Sequence, residues 1–334
     1  MFMESVADHR GARIPTTRQG YRRMLAWMRS FGELQRVGIE ATGTCGAGRL
    51  RHLQKAGVEV LEMTGPDRHD RRKRGKTDDL DAQAAAHAAF AGRCTVTPKT
   101  RDGMIEALRV LKACRKTALR ARRVALRTIG NTIVAAPDHL RDSLRKMTRM
   151  QLIRTLAAGR PDMGGCRELE TACRTALRSL ARRHLGLQDE VCDLDAKITS
   201  IVDERAPDRV ARNSIGDGSA AQLLVTAGDN PERSKSEAGF ASLCGVGPVP
   251  APSGRTDRHR RNRGGDRAAN SALHIVAIGR LRCAAPRIPA SARRIAGGRS
   301  KLEAIRCLKR SIAREVFNLI RSRYREINQA RISA

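Results

Sequence analysis

Three carboxylates, Glu40, Asp78 and Asp81, stand where the chain can bring them to one end of an α/β unit. Glu40 closes the strand-like part of Val37-Gly38-Ile39-Glu40-Ala41-Thr42-Gly43. Asp78 and Asp81 lie in Gly75-Lys76-Thr77-Asp78-Asp79-Leu80-Asp81-Ala82, a basic loop entering a helix. Being three apart, they share one helix face. In open α/β sheets ligands collect at the C-terminal ends of the strands, which aims Glu40 into the site. Carboxylates that face one another need cations, and hard oxygen ligands suit Mg²⁺, so the set fits a two-metal phosphodiester chemistry. The competing reading is that Glu40 merely ends a strand and Asp78 caps a helix.

The elements that would position these groups alternate like an α/β unit over residues 1–95. Thr16-Thr17 caps a helix carrying Tyr21, Leu25 and Met28, with Gly32 just beyond its end. Strand Arg36–Glu40 follows, then a helix with Leu50 and Leu53 that stops at Gly57, then a second strand, Val58–Met63. The segment Arg68–Lys76 is dense in Arg and Lys, and Arg71, Arg72, Lys73, Arg74 and Lys76 are candidate nucleic-acid contacts. An Ala-rich helix runs from Asp78 to about Phe90.

Residues 96–205 read as long helices. Leu177, Leu180, His184, Leu187, Val191, Leu194, Ile198 and Ile201 step by three and four, the signature of a coiled-coil seam. His184 on that seam reads as a register-setting polar residue rather than a metal ligand. A preceding helix with Met104, Leu108, Leu111, Leu126 and Ile129 is either its antiparallel partner or a dimer arm. Ala158–Cys166 links the two.

Composition names the class of partner. The 334 residues carry a formal net charge of +31, and such a field attracts polyanions with steep salt dependence. No apolar run approaches a membrane-spanning length and no signal peptide opens the chain, so nucleic acid is favoured over a membrane surface. Aromatic residues make up only 2 %, which argues against base stacking as the main recognition mode and for phosphate contacts by Arg. Nine scattered cysteines with no CxxC pair argue against zinc and against a disulfide framework, and point to a reducing cytoplasm.

Residues 206–334 form a third unit. Ser214-Ile215-Gly216-Asp217-Gly218 is a turn between helices, loosely like a helix-hairpin-helix turn. Gly245-Val246-Gly247-Pro248-Val249-Pro250-Ala251-Pro252-Ser253-Gly254 is too rich in Gly and Pro to be regular. It leads into Arg255–Arg267, where six Arg in thirteen residues surround a Gly-Gly turn. Arg255, Arg258, Arg260, Arg261, Arg263 and Arg267 make a compact anion-binding surface. From Arg267 a helix carries Asn270, Leu273, His274 and Ile278. A final amphipathic helix holds Leu302, Ile305, Leu308, Ile312, Val316 and Leu319 on one face.

These stretches together resemble the insertion-sequence one-ten family of transposases. Gly38–Gly43, Arg74–Ala82, and Cys244–Pro248 onward through Ser253-Gly254 to Asn262–Arg267 carry the likeness, in the family's order and across essentially the whole chain. The resemblance implies three parts: an α/β RNase H-like (RuvC-type) N-terminal domain at 1–95, a helical coiled-coil dimerisation region at 96–205, and a mainly α C-terminal transposase domain at 206–334. It further implies a bacterial cytoplasmic, nucleoid-associated recombinase guided by a structured non-coding bridge RNA that pairs with donor and target DNA. Glu40, Asp78 and Asp81 fall on the second, third and fourth members of the family's Asp-Glu-Asp-Asp set and would hold Mg²⁺. Ser253 falls on its serine nucleophile, which would form a phosphoserine link to DNA. A homodimer or homotetramer would let one subunit's serine meet another's carboxylates.

The likeness is incomplete. The family's first Asp lies on an opening strand. Here Ser5–Gly11 matches the turn after the family's second strand, so Asp8 is assigned no metal and the first Asp is expected to be missing. Pro252 stands where the family usually has Ser, and Ser214 and Asp217 replace a Gly and a Pro. Two other readings therefore stand beside an active transposase: a catalytically inactive nucleic-acid-binding remnant, and a RuvC-type junction nuclease using water instead of serine.

Overall fold

A computed structural model describes residues 12–40, 42–43, 45–63, 77–92, 96–161, 167–207, 214–251, 259–282, 297–298 and 300–333. These residues are mainly helical, with two small sheets. Their contacts gather Met1–Glu106 with Asp208–Ala334 into one compact unit and Ala107–Pro207 into a second. No described helix is long and apolar enough to cross a membrane.

The first unit begins with α1 (Arg18–Arg29), β1 (Arg36–Glu40), α2 (Ala47–Lys55), β2 (Glu59–Met63) and α3 (Asp78–Phe90). Thr17 caps α1 by accepting from the Gly20 amide at 3.0 Å. Strands β1 and β2 pair in parallel, Arg36 opposite Glu59 through Glu40 opposite Met63. The backbone N–H of Glu62 also donates to Val96 O, a single antiparallel bridge on the far side of β2.

Side-chain alternation assigns the two faces of this pair. Ile39, Val58 and Val60 pack with Leu50 and Leu53 of α2 and with Met24, Leu25 and Met28 of α1. Leu61 and Met63 pack instead with Ala85 and Ala89 of α3. Gly38 is the contact point of that second face. A Cβ there would collide with the Ala85 carbonyl oxygen, and would lie 2.8 Å from its carbon and 3.1 Å from Ala89 Cβ. The Ala-rich helix can lie this close to the strand only because both surfaces lack bulk.

The C-terminal part adds α8 (Asp217–Ala227), a 3₁₀ turn at Pro231–Arg233, α9 (Glu237–Leu243), β3 (Pro248–Pro250), β4 (His259–Arg261), α10 (Arg267–Arg282) and α11 (Lys301–Ile332). Small residues, Ala220, Ala221, Ala269, Ala272, Ala277 and Ala313 among them, let α8, α10 and α11 pack around Leu223, Leu273, Ile312 and Phe317. Arg280 and Glu315 join α10 to α11 through two hydrogen bonds of 2.9 and 3.0 Å, with both side chains nearly excluded from solvent. Two expectations are corrected here. Pro248–Pro250 is regular: it pairs antiparallel with His259–Arg261, because a three-residue edge strand tolerates proline where the missing N–H faces away from the partner. Leu302 does not join the buried face of the last helix but stands exposed at its first turn.

The second unit contains most of α4 (Met104–Ala135), α5 (Asp138–Arg145), α6 (Arg149–Ala158) and α7 (Leu169–Arg205). Arg115 forks onto Asp195, and Arg122 pairs with Gln188. Rising numbers on α4 thus meet falling numbers on α7, so α4 is an antiparallel partner within the chain. Along α7 the buried stripe is Cys173, Leu177, Ala181, His184, Val191, Leu194, Ile198 and Val202. It passes through Ala181 and Val202 where the seam reading had Leu180 and Ile201, the drift expected of a helix near 3.6 residues per turn. Burial lowers the His184 pKa from its ordinary value.

Replacing Gly38 with Ala is expected to cost about 1–3 kcal/mol by overpacking against the α3 backbone. Urea unfolding of the full chain measures it, and an unchanged midpoint would mean that α3 does not rest on β1 at this residue.

Candidate functional site

Glu40 ends β1 and is partly buried. It lies two residues beyond Gly38, so strand alternation puts its side chain on the face that carries α3. Asp78 and Asp81 occupy the first turn of α3, Asp78 exposed and Asp81 half-buried. The helix is capped by Thr77, not by Asp78: the Thr77 hydroxyl accepts from the Leu80 amide at 3.3 Å. Asp78, Asp79 and Asp81 complement the positive end of the helix dipole, a structural role that needs no ligand.

In donor type and in the elements that carry them, these three carboxylates fit a hard divalent cation. Among the described residues, however, no group of three or more His, Cys, Asp or Glu side chains is drawn together closely enough to hold a metal ion. Arg71, Arg72, Lys73, Arg74, Lys76, Ser253, Arg255 and Arg258 lie outside the described residues, as does the Arg261 side chain. Arg260, Arg263 and Arg267 are exposed.

The foundation of the β3–β4 hairpin is better defined. Gly245 (φ +66°) and Gly265 (φ +81°) both sit in the left-handed region and interlock. A Cβ on Gly265 would come within 2.6 to 2.7 Å of Leu243 O, Gly245 N and Ser242 O, and one on Gly245 within 2.8 Å of Gly264 O. Around them, Asn270 Nδ2 donates to Gly245 O at 2.7 Å and to Cys244 O at 3.2 Å, while Lys309 Nζ of α11 donates to Asn270 Oδ1. Asn262 accepts from the Gly264 amide at 2.8 Å. Asp266 caps α10 by accepting from the Ala268 and Ala269 amides at 2.8 and 3.2 Å, and its other oxygen accepts from Thr226 Oγ1 at 2.6 Å. Asn262, Asp266 and Asn270 each bond to backbone of the turn, and Asp266 and Asn270 also take a side-chain partner. That fixes the base of the β3–β4 hairpin.

Beside this node Cys244 is buried. Burial, reinforced by the Asp266 carboxylate, pushes its thiol up to about 12, so it stays protonated.

A third group was not anticipated from sequence. The stretch between α3 and α4 is strapped to residues 225–233. Lys99 Nζ donates to Val225 O at 2.6 Å, Asn230 Nδ2 to Pro98 O at 2.9 Å, and Arg233 Nη1 to Thr97 O at 3.1 Å. Asp229 accepts from the Ile105 and Glu106 amides at 2.9 and 3.1 Å, capping α4 from outside the helix. Gly228 (φ +90°) and the cluster Gly228-Asp229-Asn230-Pro231 were the legible signal, a turn dense in polar and conformationally special residues. Burial, then Arg233 and Arg101, pushes the Lys99 ammonium from 10.5 down to about 8, against the opposing pull of Asp266 and Glu62.

The structure thus presents an α/β module bearing carboxylates, followed by a helical module with a rigidly founded Gly-rich hairpin. The comparisons agree: residues 213–293 match the family model described as Transposase IS116/IS110/IS902 family, and residues 4–134 match the DEDD transposase model of IS110. Transposase domains of the IS110 family are therefore present, in that order along the chain, and they support DNA transposition or recombination as the activity. The DEDD domain implies an RNase H-like fold, and domains of this kind typically use divalent metal ions. No curated protein matches the chain.

Two outcomes check this geometry. Gly265→Ala is expected to destabilise the chain by about 2 kcal/mol or more, since both the backbone angle and the space refuse a Cβ. Gly264→Ala, which meets only Asn262 Oδ1 at 3.2 Å, should cost clearly less; equal thermal shifts for the two would contradict the interlock. For Lys99 the folded pKa of about 8 lies below the ordinary 10.5, so the unfolded chain holds the proton more tightly. Stability from this group is therefore lowest below pH 8 and rises as the pH climbs from about 8 toward 10.5. Comparing parent and Lys99→Met melting temperatures across that range reads the effect. A pH-independent difference between the two would refute it.

Proposed function

We propose that the chain is a DNA transposase that cuts and rejoins DNA through a phosphoserine on Ser253, guided by a structured RNA. In this reading the Ser253 hydroxyl gives up its proton and its oxygen attacks a DNA phosphorus. The Oγ–P bond forms as one phosphorus–deoxyribose oxygen bond breaks, and the departing oxygen takes up a proton. A strand-end hydroxyl then attacks the same phosphorus, restoring a phosphodiester and the free serine. One phosphodiester is kept throughout, so strand exchange needs no external energy source. The observation that carries the reading is the interlocked Gly245–Gly265 base with its Asn262, Asp266 and Asn270 braces. A nucleophile that must reach one phosphorus in one direction needs a loop projecting from a fixed foundation.

Glu40, Asp78 and Asp81 would hold Mg²⁺, which supplies charge neutralisation at the reacting phosphate and activation of the serine hydroxyl. Arg260, Arg263 and Arg267, with Arg255, Arg258 and Arg261, bind the phosphate backbone. So does the basic stretch Arg71, Arg72, Lys73, Arg74 and Lys76. The α4–α7 region serves self-association, as a homodimer or homotetramer in which a serine and a carboxylate set from different subunits meet.

The test incubates the full chain with its element's DNA and RNA and Mg²⁺, then looks for protein covalently attached to DNA under denaturing conditions. The adduct is expected with the parent and absent with Ser253→Ala. An adduct that survives Ser253→Ala overturns the nucleophile. Cleavage with no adduct at all favours a water-using RuvC-type nuclease, and binding without cleavage an inactive remnant.

A further inference from the structure

Six of the eight basic residues of helix α4, all but the partnered Arg109 and Lys112 near its start, fall into two sets. Arg115 and Arg122 face α7 and are engaged there, with Asp195 and Gln188. Lys116, Arg120, Arg123 and Arg127 step by four, three and four, which places them on one face, and all four are exposed. Among the described residues none of these four has an ion-pair partner. The only acidic residue in the 32-residue helix is Glu106, in its first turn, so nothing on α4 near the stripe offsets it.

The surface between the charges is shaped for close approach. Thr117 and Thr128 are exposed and turn their hydroxyls back onto the Ala113 and Val124 carbonyls, and Gly130 has open space around it. The helix contains no Phe, Trp or Tyr, so it offers no platform for unstacked bases. Charge without stacking groups suits the phosphate backbone of a duplex rather than a single strand. At 1.5 Å per residue, Lys116 to Arg127 spans about 16 Å, or roughly five phosphates of one B-DNA strand at 3.4 Å each.

We infer that the outer face of α4 is a duplex-DNA-binding surface in which Lys116, Arg120, Arg123 and Arg127 contact successive backbone phosphates. The inference rests on the reading of the chain as a DNA-acting transposase. It goes beyond that reading by giving the helical unit a DNA contact of its own, separate from the Arg255–Arg267 cluster.

The test measures binding of the full chain to a 30-base-pair duplex by fluorescence anisotropy over a salt series. The probe is compared with duplex RNA of the same sequence. The stripe variant carries Lys116→Gln, Arg120→Gln, Arg123→Gln and Arg127→Gln. A control variant removes the same charge elsewhere in the helical unit through Arg145→Gln, Lys146→Gln, Arg149→Gln and Arg154→Gln. Loss of four phosphate contacts should flatten the log–log salt slope by about 3 to 4 units, with the control changing it far less. Single Gln variants, which leave the exposed surface otherwise intact, should each remove about 0.9 unit and guard against misfolding of the quadruple change. An equal effect in the control overturns the inference by showing only a net-charge effect. So does a stripe variant that binds DNA as the parent does, or one whose loss is confined to duplex RNA. A parent that binds no DNA duplex at any salt sinks the DNA-acting reading itself along with the stripe.

Discussion

The carboxylate of Asp229 holds the first unit in one piece. Helix α4 opens with amides that have no partner inside the helix, and Ile105 and Glu106 find theirs in a side chain 124 and 123 residues further along the chain. Gly103 is the residue that lets this happen, since any Cβ there would run into the same carboxylate. The cap fixes one end of the strap 96–106. Pro98, Thr97 and Lys99 then exchange hydrogen bonds with Asn230, Arg233 and Val225. The carboxylate-bearing sheet, joined to that strap through the Glu62–Val96 bridge, is thereby tied to the module that carries the hairpin.

Electrostatics shapes the same region. Lys99, Arg101 and Arg233 crowd a half-buried space in which Glu62, Asp266 and Glu106 supply the opposing charge. Arg101 is tied to Glu106 at 3.3 Å, and Glu62 accepts from the buried Thr42 hydroxyl just beyond β1. Three cations and three anions share this space, so no net excess of charge is buried there. Lys99 and Arg233 take backbone carbonyls as their hydrogen-bond partners, which satisfies their buried N–H groups without adding charge.

Much of the first unit was legible because its signals are local. Thr17 before an amphipathic run, Gly57 after Leu53, and the alternation in Arg36–Glu40 and Val58–Met63 each rest on a few neighbouring residues, and each element formed where those residues placed it. The start of α10 at Arg267 was legible for the same reason. What escaped were long-range decisions. Nothing within a few residues of Asp229 says that its carboxylate will cap a helix more than a hundred positions away. Nothing near Pro248 says that His259–Arg261 will return beside it. The acidic trio shows both sides: the spacing of Asp78 and Asp81 and the end of β1 could be read, but whether three side chains converge depends on packing that spacing does not encode.

The Asp229 cap also has a bearing on how such chains can change over time. A helix start whose cap is supplied by a distant module cannot be inherited separately from that module. Exchanging either transposase domain for a relative's would leave two amides and a carboxylate without counterparts unless Gly103, Asp229 and Asn230 travelled as a set. The chain is thus less a string of interchangeable cassettes than a single heritable block, with its seam written in Gly103 on one side and the Asp229-Asn230 pair on the other.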